Sequence, residues 1–169
     1  MMIFSVMIGF GQGYQPVAGF NYGAGNRERV KAAMKFTLIV GIIGMGSAGV
    51  MLFFTAPALM RLFISDDPAV LKIGTMALRA QAFSMPLIPI GTVANMTFQS
   101  VGKAWRATIM SSMRQGIFFI PFIFILPAAF KLNGVAATQA ASDILTAIAC
   151  APFLYQFYRN LTEETKSRA

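Results

Sequence analysis

Three stretches of the 169-residue chain, Met1–Asn26, Phe36–Met60 and Ala80–Gly102, contain no Asp, Glu, Lys or Arg. Each exceeds the roughly 20 residues an α-helix needs to cross the hydrocarbon core of a bilayer. Backbone inside hydrocarbon must satisfy its own hydrogen bonds, so charge-free runs of this length point to membrane helices. Gln115–Phe130 is shorter, but extension back to Ala107 gives adequate length and leaves Arg114 to snorkel to an interface. Leu132–Tyr158 holds one charge, Asp143, and ends at Arg159 before the polar sequence LTEETKSRA. The expectation is an all-α, polytopic transmembrane bundle of about five helices, with residues 1–159 in the membrane unit and 160–169 as a polar tail.

Composition agrees: 56% of residues are hydrophobic and 12% charged, and soluble domains carry about twice that charge. A net charge of +8 would suit nucleic acid if it formed one stripe, but the basic residues fall in short clusters between apolar runs. The partner this implies is the lipid bilayer, not nucleic acid. If the spans alternate, Arg27, Arg29, Lys31, Lys35, Lys103, Arg106, Arg114, Arg159, Lys166 and Arg168 share one side, and Arg61, Lys72, Arg79 and Lys131 the other. The excess of Lys and Arg assigns the first side, with the carboxy terminus, to the cytoplasm of a multi-pass protein of the inner (plasma) membrane.

With no histidine and a single cysteine, Cys150, the chain offers no disulfide framework, Cys/His zinc site or His-based triad. The run GFGQGYQPVAG lacks the third glycine of GxGxxG, and no Walker lysine is present. Neither enzyme activity nor a cofactor or metal is expected. Met1–Phe10 has no basic n-region, so it reads as the interior of a helix and not as a secretory signal. Ser65, Asp66 and Asp67 suit the cap of a helix beginning at Pro68. That helix could run to Ser100 if Pro86 and Pro89 bend it without ending it, and Pro121 and Pro127 should distort span four.

Residues that could carry transport chemistry begin with Gly11–Val30, GQGYQPVAGFNYGAGNRERV. Gly11, Gly13, Gly19, Gly23 and Gly25 permit close approach by another backbone or a ligand, and Pro16 leaves the Gln12 carbonyl in need of a partner. Gln12, Gln15 and Asn21 add amides that hydrocarbon does not solvate. Both close helix packing and a transport pathway fit. Gln81, Ser84, Thr92, Asn95 and Gln99 lie near one face of span three, and Thr108, Ser111, Ser112 and Gln115 continue the theme in span four, either as interhelical bonds or as a cavity wall. Asp143 lies about 16 Å along its helix, near mid-membrane. A charge there costs about 2.5–3.5 kcal/mol, so it must be protonated, paired or open to a polar cavity, with Gln139 and Ser142 nearby. Sixteen Phe and twelve Met could line an adaptable surface, although Phe in spans commonly faces lipid.

Gln15, Pro16, Gly19, Asn21, Gly23, Ala24, Arg29 and Val30 resemble a signature of the multidrug and toxic compound extrusion (MATE) family, in its prokaryotic multidrug-exporter branch. That signature lies at the cytoplasmic end of the second helix of the carboxy-terminal six-helix lobe, and the resemblance continues to about Arg159. It implies a two-lobed secondary antiporter of which this chain holds most of one lobe, with the amino-terminal lobe as missing partner. The implied activity is export of small amphipathic or cationic compounds against a proton or sodium gradient by alternating access. A lipid-linked oligosaccharide flippase of the same superfamily is the alternative, but it would favour a cationic cavity, and the stripe here is mostly neutral. A non-transporting membrane interaction module is a second. Some branches place a cation-coupling acid in the helix matching span three, where Ala80–Gly102 has none. Sodium coupling in that style is therefore not expected, and the coupling acid of other branches belongs to the lobe absent here.

Overall fold

The five expected crossings form, two of them in broken pieces. The structure, a computed structural model, describes residues 2–63 and 68–166. Helix α1 (Met2–Gly23) stops at a turn in which Gly25 takes φ 75°, a left-handed conformation that favours glycine. Helix α2 (Arg27–Phe63) returns across the bundle. The third crossing is α3 (Pro68–Ser84), a 3₁₀ turn at Met85–Leu87 and α4 (Ile88–Ser100). The fourth is α5 (Ala104–Ser112), a π turn at Met113–Ile117 and α6 (Phe119–Phe130); the fifth is α7 (Leu132–Lys166). Among the described residues, α2 and α7 are the unbroken helices long and apolar enough to cross a membrane by length and composition.

Pro86 and Pro89 thus bend the third crossing without ending it. The proposed cap at Ser65, Asp66 and Asp67 lies outside the described residues. In the fourth crossing the distortion falls before the prolines, not at them. A proline ring collides with the carbonyl four residues earlier; for Pro121 that is Ile117, the last residue of the π turn. The wide turn therefore ends where the obstruction would fall. The sequence from 160 to 166 is no separate tail: α7 runs through it, with Leu161 buried and Arg27 Nε paired to Glu164 Oε2 at 2.7 Å.

That pair helps define one end of the bundle, where the Tyr22 and Phe157 rings stack, Lys103 lies over Phe157, and Gly19 approaches the Ser100 carbonyl. Arg27, Arg29, Lys31, Lys35, Lys103, Arg106 and Arg159 lie at or near this basic end. The opposite end is tied by Met60 against Gly74 and by α6 and α7, which join through Lys131 at φ 54°, with Gly134 against the Leu126 carbonyl.

Methionine fills the interior. Met7, Met34, Met45, Met85, Met96 and Met110 belong to the buried core with Val93, Phe98, Phe157 and Leu161, so these methionines pack helices, and Met34, Met96 and Met110 also reach the walls of cavities between them. Phe20, Phe54, Phe83 and Phe124 are each at least 74% exposed and point outward. Water would not tolerate so much apolar surface, whereas a bilayer solvates it.

Prolines also leave carbonyls without helical donors, and neighbouring helices cover two of them. Pro57 frees Phe53, whose oxygen lies 3.5 Å from Arg79 Nε, a long contact. Pro86 frees Ala82, and a Cβ built on Gly49 of α2 would stand 2.7 Å from that oxygen. Gly44 on the same helix has nothing within 4 Å of such an atom. Gly49→Val should therefore destabilise the bundle by about 1–3 kcal/mol through overpacking. Gly44→Ala should be neutral or mildly stabilising. Thermal unfolding of both variants in detergent checks the contrast, and equal midpoints would remove the close-packing account.

A buried ion pair and a polar face

Asp143 sits on α7 with its side chain fully buried. Its Oδ1 accepts from Arg114 Nε at 2.7 Å and from Gln139 Nε2 at 3.2 Å; its Oδ2 accepts from Gln81 Nε2 at 3.0 Å. Three crossings thus converge on one carboxylate: α3 through Gln81, the π turn through Arg114, and α7 itself. Arg114 does not snorkel to an interface. The π turn carries it, and a buried carboxylate attracts the guanidinium more strongly than a distant headgroup layer can.

Two hydroxyls secure the same junction. Ser142 Oγ donates to the Arg114 carbonyl at 2.6 Å, and Ser84 Oγ donates to the Gln81 carbonyl at 2.9 Å beside the 3₁₀ turn. Each break in a crossing therefore has a hydroxyl beside it and a side chain on Asp143. The pair also borders a cavity of about 270 Å³ lined by Ile88, Thr92, Asn95, Met110 and Ser111 among others.

From Ser111 the polar surface continues outward. A second hollow is lined by Gln99, Thr108, Ser111 and Ser112. Gln99 joins α1 to this surface: its Oε1 accepts from Gln15 Nε2 at 2.8 Å, and its Nε2 donates to Asn95 Oδ1 at 3.3 Å. Gln12, one turn from Gln15, and Pro16 are exposed. The face formed by α1, α4 and α5 is thus polar and open, while Tyr14 turns from it into the core and bonds Thr97 Oγ1 at 2.9 Å.

Other candidates lie elsewhere. Asn21 donates to the Val17 carbonyl of its own helix at 2.8 Å. Gly11 packs on Met96, and a Cβ at Gly19 would stand 3.1 Å from the Ser100 oxygen. A Cβ at Gly23 would meet nothing within 4 Å among the described residues, so close packing against them does not explain that glycine. Gln115 lies in the π turn, and its side chain is outside the described set. Among the described residues no cluster of His, Cys, Asp or Glu could hold a metal ion. Sequence reasoning missed Arg114 as the partner of Asp143. The signal was available: Arg114 is the one base within the extended span four, residues 107–130, and Asp143 the one acid within any span.

Broken crossings, a buried charge and an outward apolar surface define a polytopic helical membrane protein with an open polar face on α1, α4 and α5. The chain belongs to the MatE family, whose sequence pattern matches residues 1–125. Similar curated proteins include the multidrug export protein MepA of Staphylococcus saprophyticus, 26% identical over 157 residues, covering 93% of this chain and 34% of that protein. MepA of Staphylococcus aureus strain NCTC 8325 is 29% identical over 161 residues, covering 95% of this chain and 35% of that one. The fold matches the crystal structure of a MATE protein in the straight conformation, with TM-score 0.87 and 19% identity over 96% of this chain and 37% of that chain. It also matches the inward-facing conformation of a multidrug resistance MATE family transporter of the MOP superfamily, with TM-score 0.85 and 20% identity over 96% and 38% of the respective chains. The chain thus spans about a third of the length of the relatives it matches.

The convergence on Asp143 yields a thermodynamic prediction. Removing one member of a buried pair leaves the other uncompensated, at a cost of about 3–5 kcal/mol. Arg114→Gln and Asp143→Asn should each lower stability by an amount of that order, and the double variant should recover most of the loss. A double-mutant cycle of unfolding in detergent measures this; additive losses would show that the two side chains act independently.

Proposed function

We propose that this chain forms most of the carboxy-terminal lobe of a secondary-active multidrug exporter, and that the face built by α1, α4 and α5 lines its transport pathway. The observation carrying this reading is the open run of Gln15, Gln99, Thr108, Ser111 and Ser112 on the helices that make the crossings. Hydrocarbon does not solvate amides and hydroxyls, so this face is suited to water, substrate or the amino-terminal lobe. A hydrogen-bonding wall beside apolar Ile88 and Met110 accommodates amphipathic compounds, cationic ones included, because the charge of Arg114 at its border is offset by Asp143.

Alternating access in this reading is a rocking of two lobes in the inner membrane. The breaks at Met85–Leu87 and Met113–Ile117 supply places for the crossings to flex. Asp143 serves as a counter-ion that holds those breaks together: its oxygens already accept from Arg114, Gln81 and Gln139. Coupling to a proton or sodium gradient then falls to an acid in the amino-terminal lobe. The basic end faces the cytoplasm, because Lys and Arg are retained there.

The test is efflux of a cationic dye by the complete two-lobed transporter at matched membrane abundance. Ser111→Phe and Gln99→Leu should each slow efflux by about tenfold, equivalent to roughly 1.4 kcal/mol. Unchanged rates in both would remove this face from the pathway. Orientation is read separately with Cys150 replaced by Ser: cysteines at Arg29 and Lys103 should label from the cytoplasmic side and one at Lys72 from outside. Labelling of all three from one side would reject the arrangement.

A further inference from the structure

Away from the polar face, α2, α4 and α7 enclose a groove of about 440 Å³ to which neither the fold nor the transport reading gives a role. Its walls are Met34, Leu38 and Ile42 of α2, Ile90 of α4, and Ala151 and Leu154 of α7. Lys35, Tyr155 and Tyr158 complete the lining, and all three are exposed. These polar groups are not scattered. Helices α2 and α7 run in opposite directions, so Lys35 and Tyr158 both stand toward the basic end, and Ile42 and Ala151 stand about 10 Å deeper. One end of the groove therefore offers an ammonium and two phenols, and the other only hydrocarbon.

We propose that this groove is a binding site for an anionic phospholipid, with an acyl chain along Leu38, Ile42, Ile90 and Ala151 and the phosphate at Lys35. Three features favour that occupant. The groove has the polarity gradient of a lipid, from charged head to apolar tail. Its head end lies toward the basic end of the bundle, beside Arg159, which follows Tyr158 on α7, and negative charge is attracted there. Tyrosine is the residue that settles at the headgroup level of a bilayer. A packed helix, whether from the rest of this lobe, the other lobe or a second copy, fits less well, since it would bury the Lys35 ammonium against an apolar wall. The proposal rests on the membrane bundle alone and stands whether or not the chain takes part in drug export.

Trp105 is the only tryptophan, so Trp105→Phe with Tyr155→Trp places a single fluorophore in the groove. The full chain carrying these changes is reconstituted in mixed phosphatidylglycerol and phosphatidylcholine vesicles, in which one lipid or the other carries brominated acyl chains. Quenching by brominated phosphatidylglycerol should report an affinity about fivefold above that for phosphatidylcholine, the effect expected of one basic residue near an anionic headgroup. Lys35→Gln should abolish the preference, and Ile90→Phe, which fills the groove, should weaken quenching by both lipids. Arg29→Gln, outside the groove, should leave the preference intact and so separates a site from general surface charge. Equal quenching by the two lipids, a preference that survives Lys35→Gln, or one lost with Arg29→Gln would overturn the proposal. Protection of the fluorophore from both lipids would do so as well and would indicate a protein occupant.

Discussion

A carboxylate buried among membrane helices has to be met by donors from its own protein, and the arrangement around Asp143 follows from that requirement. Lipid offers nothing to an ionised oxygen, so each donor must come from another turn or another crossing. Gln139 reaches it from the preceding turn of α7, Gln81 from the end of α3, and Arg114 from the π turn. The last two sit beside the points where their crossings are interrupted. The pair therefore fixes the relative placement of two bent elements that lack an unbroken helix to hold them straight.

The interruptions have chemical causes in the sequence. Proline cannot donate, and its ring displaces the carbonyl of the preceding turn. Where that carbonyl reaches another helix, the neighbour is chosen to suit: Gly49 presents no side chain to the Ala82 oxygen, and Arg79 approaches the Phe53 oxygen. The broken crossings leave the α1, α4 and α5 face to carry amides and hydroxyls, while phenylalanines cover much of the outward surface. Packing and proposed transport are in this sense separate layers of one design. Methionines and small residues make the interior, and the polar groups gather at the breaks and on one open face.

Much of this was legible beforehand. Charge-free runs gave the crossings, Pro86 and Pro89 gave the bend in the third, and the signature around Gln15–Val30 gave the family. The spacing of Gln81, Asn95 and Gln99 marked a polar stripe, although it could not show that Gln81 turns to Asp143 while Gln99 turns to Gln15. Arg114 was misread because its partner is 29 residues away on another helix, and helical periodicity carries no information across such a distance. The π turn was displaced from Pro121 for a related reason: proline obstructs the residue four positions earlier, so the distortion appears upstream of its cause. Gly23 matched the family signature, yet a Cβ there would meet none of the described residues, and a signature does not distinguish a glycine kept for packing here from one kept for contact elsewhere.

The most direct test of the central interaction is infrared spectroscopy of the protein in hydrated membranes at neutral pH, with ¹³C-labelled aspartate and Asp143→Asn as the reference. Asp66 and Asp67 are the only other aspartates, so the difference spectrum isolates one side chain. An ionised, paired Asp143 requires that the substitution remove a carboxylate band, and that Arg114→Gln shift this band or replace it with a protonated carboxyl band. Loss of a protonated carboxyl band on Asp143→Asn, or a carboxylate band indifferent to Arg114→Gln, would contradict the ion pair on which the arrangement of the crossings depends.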